Sequence, residues 1–371
     1  MRSPEPILIG AASGRALAAS ARRGGYLPLV ADFFGDADTI AIAHAHRRLN
    51  TPLSDGIDGD DVIDAFERLA ESAPPRGVVC GTGFEDRPQI LARLAARWRL
   101  IGNRPDVVAA VKDPLAFASL CRECDVPHPE TSRAMPTDPT QWLVKRHGGA
   151  GGSHVRAADE RRGDGVYFQR RVQGAPVSSL FLADGRGAII LGFSEQWSAP
   201  TPRQPFRYGG AVRPAAIAPT LCDALAAAVC RLARAVPLRG LNSADFLVDS
   251  EKFWILEINT RPSATLEIFE PPEESLFALH VAACEGELVS APPELAGAAA
   301  AAIAYARDDI AAFPALDWPD WAHDRPWRGS AIKAGEPLCT VHASAPTPAS
   351  ARALVAERLE AVLAWTHARM S

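Results

Sequence analysis

A strand interior seldom carries a carboxylate, an amide and a guanidinium together, yet the run Trp254-Ile255-Leu256-Glu257-Ile258-Asn259-Thr260-Arg261-Pro262 carries all three. Side chains alternate between the faces of a strand, so Glu257 and Asn259 share one face while Leu256 and Ile258 pack on the other. Upstream, Ala244-Asp245-Phe246-Leu247-Val248 reads as a second strand, and Asp249-Ser250-Glu251-Lys252 between them has the composition of a hairpin turn. A three-residue loop centred on Glu251 sets Asp245 opposite Glu257, and three oxygen ligands converge with Arg261 just beyond. Hard oxygen donors without His or Cys suit magnesium, which takes one or two carboxylates and completes its shell with phosphate and water. The plain alternative is an antiparallel hairpin whose polar face meets water; the long apolar flanks, which make both strands look half buried, weigh against it.

A second element points the same way. Leu143-Val144-Lys145-Arg146 ends an apolar strand on a lysine and runs through His147-Gly148-Gly149-Ala150-Gly151-Gly152-Ser153-His154 into another strand at Val155-Arg156. Glycine lets backbone amides approach phosphate oxygens closely, and Lys145 supplies positive charge. This is neither a Walker loop, since no Gly-Lys-Ser/Thr follows, nor a dinucleotide fingerprint opening a helix, and a Gly-rich hairpin turn stays open as the simpler reading. Earlier, Ile101 to Pro114, which includes Lys112, leads into an apolar helical pattern ending at Asp125-Val126-Pro127-His128-Pro129. Later, Gly165 to Gly174 reads as a strand running into a connector, followed by a strand-like Val177 to Leu182.

The order of these parts, from about Ile101 to Glu285, resembles the ATP-grasp superfamily. The resemblance implies an α/β chain (α+β in the ATP-grasp part) with a Rossmann-like domain at 1–104 and an ATP-grasp domain at 105–295, whose lid subdomain covers about 125–172. A small β-rich domain with a terminal helix follows at 300–371. It implies ATP and one or two magnesium ions as cofactors. Lys112 and Lys145 are then the lysines that touch the phosphates, and Gly148, Gly149, Gly151, Gly152 and Ser153 form the lid loop over them. Arg170 and Val172 are hinge positions whose backbone groups hold adenine, with Gln169 where the hinge often carries a glutamate. Asp245, Glu257 and Asn259 become the magnesium ligands, and Arg261, with Lys145, the catalytic cation at the transferred phosphoryl. Ala175-Pro176-Val177-Ser178 lacks the acidic residue that many relatives have there, so ribose recognition has no assigned residue.

The activity implied is an ATP-dependent ligase that turns a carboxylate into an acyl phosphate and joins it to an amine. The Gly83-Phe84-Glu85 turn, the strand end from Asn259 to Glu267 and the Cys339-Thr340-Val341 tail look similar to a branch linked with tetrahydromethanopterin and methanofuran, one-carbon carriers, with an amino acid such as glutamate as a natural partner. Two alternatives stand beside it: a biotin-carboxylase-like enzyme, whose biotin carrier would be another chain, and a nucleotide-binding regulator without turnover.

The remaining residues bound this picture. At 371 residues the chain has room for two or three domains, and a net charge of −5 argues against a nucleic-acid partner. No apolar run reaches membrane-spanning length and the N-terminus has no signal-peptide pattern, so a cytoplasmic protein acting on small molecules, as a homodimer, is expected. Seven cysteines fit a reducing setting; Cys121 and Cys124 form a lone C-x-x-C without a second pair or a His at zinc spacing. Ile7 to Gly14 is a strand into a Gly turn and helix, with another strand from Leu27 to Asp32 at βαβ distance. Glu85, after the strand Gly77-Val78-Val79-Cys80, contacts substrate or caps a helix. Glu195 and Arg207 bind substrate or face water, and His154 touches phosphate or sits idle. The tail has turn-rich strands around Asp324 to Gly329 and Pro337 to Val341, an amphipathic helix from Ala349 to Arg369, and no catalytic signature.

Overall fold

The computed structural model describes residues 4–71, 73–158, 165–250 and 252–370. The N-terminal part runs β1 (Glu5–Gly10), α1 (Arg15–Arg23), β2 (Tyr26–Asp32), α2 (Ala37–Ile42), β3 (Ala45–Arg48), α3 (Gly59–Ala70), β4 (Val78–Cys80) and α4 (Pro88–Ala95). Its four strands pair in parallel in the order β3-β2-β1-β4. Alternation along the strands feeds two cores. Ile7, Ile9, Val30 and Val79 pack with Leu17 and Ala18 of α1, whereas Leu8, Leu29, Ala31 and Val78 pack with α3 and α4. That two-sided burial is why these strands read as apolar runs, and the architecture is Rossmann-like. The strand order reverses at β1, so the loops after β1 and β4 flank a crevice. They are tied together there by Ala12 N–H to Thr82 O (2.7 Å) and Gly81 N–H to Gly10 O (2.7 Å).

Two short helices follow, α5 (Pro105–Lys112) and α6 (Pro114–Glu123). Asp113 separates them: its carboxylate accepts from the N–H groups of Leu115 (3.0 Å) and Ala116 (2.9 Å), and Pro114 takes the first helical position. Lys112 is thereby fixed at the last turn of α5. A small antiparallel sheet comes next, made of β5 (Thr131–Ser132), β6 (Trp142–Arg146), β7 (Arg156–Ala157) and β8 (Val166–Arg170) in the order β5-β8-β6-β7.

The rest of the chain builds an eight-stranded antiparallel sheet from β9 (Ala175–Asp184), β10 (Ala188–Ser198), β11 (Tyr208–Arg213), β12 (Arg239–Asp249), β13 (Lys252–Asn259), β14 (Ala298–Tyr305), β15 (Ala322–His323) and β16 (Pro337–Ala345). Their order is β13-β12-β9-β10-β11-β14-β16-β15, so the C-terminal strands extend the same sheet through β11 and β14. Helices α7 (Pro219–Ala235), α8 (Leu276–Cys284) and α9 (Pro348–Met370) complete it. Along β9, Val177, Phe181 and Ala183 join the core under α7, while Leu180 and Leu182 join the one shared with α8 and α1. Ala351, Val355 and Val362 of α9 pack against Ala300, Ala302, Val341 and Ala343. Among the described residues no helix is long and apolar enough to cross a membrane.

Candidate active site

The expected hairpin exists, and Asp245 pairs with Glu257, but by a different route. The turn is tighter than the three-residue loop expected: Asp249 pairs with Lys252, leaving two residues between them, of which Glu251 lies outside the described residues. Phe246 pairs with Ile255 and Asp245 with Glu257, so Leu256 is an extra residue, a β-bulge that restores the register. The bulge changes which side chains pack. Ile255 and Ile258 enter the core under α7, and Leu256, expected on that face, instead lines the cleft beside Glu257.

Four expected residues meet at this strand end. Lys112 Nζ donates to Glu257 Oε2 (3.2 Å) and Asn259 Oδ1 (2.8 Å), and Asn259 Nδ2 donates to Asp245 Oδ2 (3.0 Å). Burial pushes the Asp245 carboxyl up, and the Glu257 charge adds to it. Burial would raise Glu257 as well, but Lys112, Lys145 and His154 outweigh it and hold that group ionised below its usual range. The pair is thus short of positive charge on the Asp245 side.

The small sheet brings the second lysine. Lys145 Nζ donates to Gln169 Oε1 (2.6 Å), and Gln169 is almost fully buried in β8. Burial lowers the Lys145 pKa, with Glu257 and Asp245 opposing. The glycine loop after β6 lies over the cleft. Gly148 has φ +62°, and a Cβ there would sit 1.8 Å from Asp86 Cβ. Gly152 has φ +69°, and its Cβ would lie 2.0 Å from Phe206 O. Only glycine fits these close approaches. Gly149 abuts the His154 ring, Gly151 O accepts from Tyr208 N (2.8 Å), and Ser153 Oγ turns back to Ala150 O (3.4 Å). His154 lines the cleft with Lys112 and Glu257, and burial lowers its pKa to about 4, leaving the ring neutral.

Arg261 reaches from the end of β13 to the N-terminal part, where its Nε donates to Glu85 Oε1 (2.6 Å). Glu85 is buried and also accepts from Gly83 N–H (2.7 Å); α4 begins at Pro88 without a side-chain cap, so Glu85 is an ion-pair partner and not a helix cap. Burial would raise its pKa, and Arg261 and Lys112 pull it below the usual carboxylate range. Arg170 ends β8 with an exposed side chain, and its N–H donates to Glu130 O (2.8 Å), so that amide is taken. Val172, itself half-buried, follows in the otherwise exposed connector to β9.

Other candidates are elsewhere. Glu195 accepts from Ala216 N–H (2.8 Å), and Arg207 is bound to Ala199 O (2.9 Å) and stacks 3.6 Å from the Tyr305 ring centre. Burial pushes the Cys121 thiol up to about 12 and raises Cys124 too, which suits inert thiols.

A buried charge cluster went unnoticed in the sequence. Arg15, 3% exposed, grips Glu267 with both terminal nitrogens, and its Nε donates to Asp324 Oδ1 (2.9 Å). Asp38 accepts from the N–H groups of Asp324 and Arg325 (2.9 Å each), so the cluster joins the N-terminal sheet to the tail. Arg15 is more than two hundred residues from Glu267 and Asp324, with no local pattern to reveal the contact.

Residues 112–265 match the sequence profile of the ATP-grasp domain. The biotin carboxylase domain of Hydrogenobacter thermophilus 2-oxoglutarate carboxylase, a dimer solved with MgADP, ADP and bicarbonate, superposes with a TM-score of 0.73 at 14% identity over 94% of this chain and 87% of that one. Campylobacter jejuni biotin carboxylase gives 0.73 at 16% identity over 94% and 89%. N5-carboxyaminoimidazole synthetase of Staphylococcus aureus, complexed with ADP, gives 0.71 at 16% over 97% and 98%. Among curated proteins none matches the chain significantly in sequence. Residues 112–265 are therefore an ATP-grasp domain, set in the fold that these carboxylases and the synthetase share.

Proposed function

We propose that the chain is an ATP-dependent ligase that activates a carboxylate as an acyl phosphate and joins it to an amine. The observation that carries this reading is the half-buried Asp245–Glu257 pair with Asn259, Lys112 and Lys145 around it. The donor set is oxygen only and under-neutralised at Asp245, which fits magnesium, held by Asp245, Glu257 and Asn259. Held there, magnesium would supply positive charge against the phosphates. Lys112 already serves Glu257 as counter-ion, and with Lys145 it would orient the phosphates. Gln169 fixes Lys145, and Glu85 fixes Arg261. The loop from Gly148 to Ser153 excludes water, which an acyl phosphate requires.

A carboxylate resists attack because its leaving group would be oxide; phosphorylation replaces that with phosphate, and the protein contributes positioning and charge. An amino acid such as glutamate is our proposed amine or carboxylate partner, and a homodimer our proposed assembly. The test is ADP and phosphate release from ATP with magnesium, screened against pools of carboxylates and amines, with and without bicarbonate. Release that needs both a carboxylate and an amine supports the ligase. Release with bicarbonate alone points to a carboxylase, and ATP binding without release under every pool overturns both.

A further inference from the structure

Glu267, His323 and His342 meet where the loop before α8 faces β15 and β16, and their ligand atoms lie within 4.8 Å of one another. All three residues are half-buried. His323 Nδ1 is 3.2 Å from Glu267 Oε1, and His342 Nε2 is 3.3 Å from Glu267 Oε2. Arg15 occupies one lone pair on each of those oxygens and holds the carboxylate in place, which leaves the other lone pair of each facing a histidine.

The histidines are poorly served by this arrangement. His323 Nε2 lies 3.1 Å from Asp320 O; donating there leaves Nδ1 a bare acceptor pointed at another acceptor. His342 Nε2 is buried and has no hydrogen-bond partner among the described residues. Protonating both rings would answer each contact, but the ring centres are only 4.4 Å apart, and two imidazolium ions at that distance repel each other. One divalent ion accepts both nitrogen lone pairs and a carboxylate oxygen at once. The hydrogen bond from His323 to Asp320 O is the outer contact that orients a metal-bound histidine.

We infer that Glu267, His323 and His342 form a site for a divalent transition metal of the zinc class, separate from the Asp245–Glu257 oxygens. Two imidazoles and one carboxylate suit zinc or cobalt and leave a position for water or a substrate oxygen, the coordination of reactive zinc centres. Ser13 and Arg15, on the loop and helix after β1, contact Asp324 next to His323, so the open position lies beside the crevice of the N-terminal sheet.

The test is cobalt(II) titration of the full-length protein after treatment with a chelator, read by visible absorption, with zinc competition for affinity. The wild type should bind one equivalent with the intense bands of a four- or five-coordinate site. His323→Ala and His342→Ala should each weaken binding at least about tenfold, and Asp245→Asn should leave the cobalt spectrum unchanged. Should an alanine variant fail to fold, His342→Gln, which keeps the bulk and removes the imidazole, is expected to lose the bands in the same way. A wild type without cobalt bands or zinc retention, or histidine variants that bind as the wild type does, would overturn the site.

Discussion

Glu257 lies on β13, one edge strand of the large sheet, and Glu267 lies in the turn before α8 that faces β15 and β16 near the other edge; each has a cation from another part of the chain, but the cations differ. Glu257 meets the single ammonium of Lys112 at 3.2 Å and shares its surroundings with Asp245, whose pKa burial and like charge push up. Glu267 is held at both oxygens by the fork of Arg15, with histidines beyond, and burial notwithstanding it stays ionised well below the usual range. A lysine is a mobile point charge that a metal or phosphate can displace, whereas a bidentate arginine fixes geometry. Under the proposed function the first carboxylate exchanges its counter-ion; the second ties the tail to the N-terminal sheet.

The sharpest way to break this contrast is to neutralise each side. Glu257→Gln should lower ATP turnover by a factor on the order of 10²–10³, the range for loss of one preorganised electrostatic group. Its thermal unfolding should fall slightly, since Lys112 and Lys145 hold Glu257 ionised below its usual range and lose that partner, while relief of the like charge beside Asp245 offsets part of the loss. Turnover at the wild-type rate would remove the metal role. Arg15→Met should cost more stability, leaving the half-buried Glu267 and Asp324 without their cation at about 3 kcal/mol, the lower end for a broken buried pair. Urea unfolding measures it, and a midpoint that does not move would refute the structural role of the fork.

The two sites also differ in how far the sequence revealed them. Asp245, Glu257 and Asn259 were legible because one hairpin carries all three and strand periodicity relates them. The pairing came out right although the loop did not, because the bulge at Leu256 compensates for the shorter turn. Lys145 and its glycines were legible because close backbone approach restricts those positions to glycine. Arg15, Glu267, Asp324 and the two histidines left no such trace. They sit on four separate segments and meet only after the C-terminal strands join the sheet, so the tail read as having no signature. Glu85 was noticed without its partner for the same reason, Arg261 being far away in sequence.

A subtler test of the second site is pH. Burial, then Asp324, Asp32 and Asp38, raise the Asp36 pKa to about 9, with Arg15 opposing. The folded state therefore holds a proton that an unfolded aspartate gives up near its ordinary pKa of about 3.9. Between those values the native state binds more protons, so this group's contribution is fully present below the unfolded pKa and is lost as pH rises toward 9. Asp36→Asn removes that loss, and its urea midpoint, compared with wild type at pH 5 and pH 8, should gain on the wild type by up to about 1.4 kcal/mol per pH unit. A constant difference would mean that Asp36 is ionised in the folded protein.

The smallest expected effect concerns access, since the Glu257 site lies under a glycine loop. Gly148 and Gly151 have nearly the same backbone, φ +62° and +63°, so alanine at either should cost about 1–2 kcal/mol of local strain. Their surroundings differ. A Cβ at Gly151 meets nothing within 4 Å, whereas one at Gly148 would overlap Asp86. If the loop must rest on the Asp86 turn to keep water from the cleft, Gly148→Ala should lower turnover and raise the fraction of ATP hydrolysed without product, while Gly151→Ala keeps both near wild type. Equal behaviour of the two variants would mean that strain alone matters and that contact with the N-terminal part has no role in sealing the cleft.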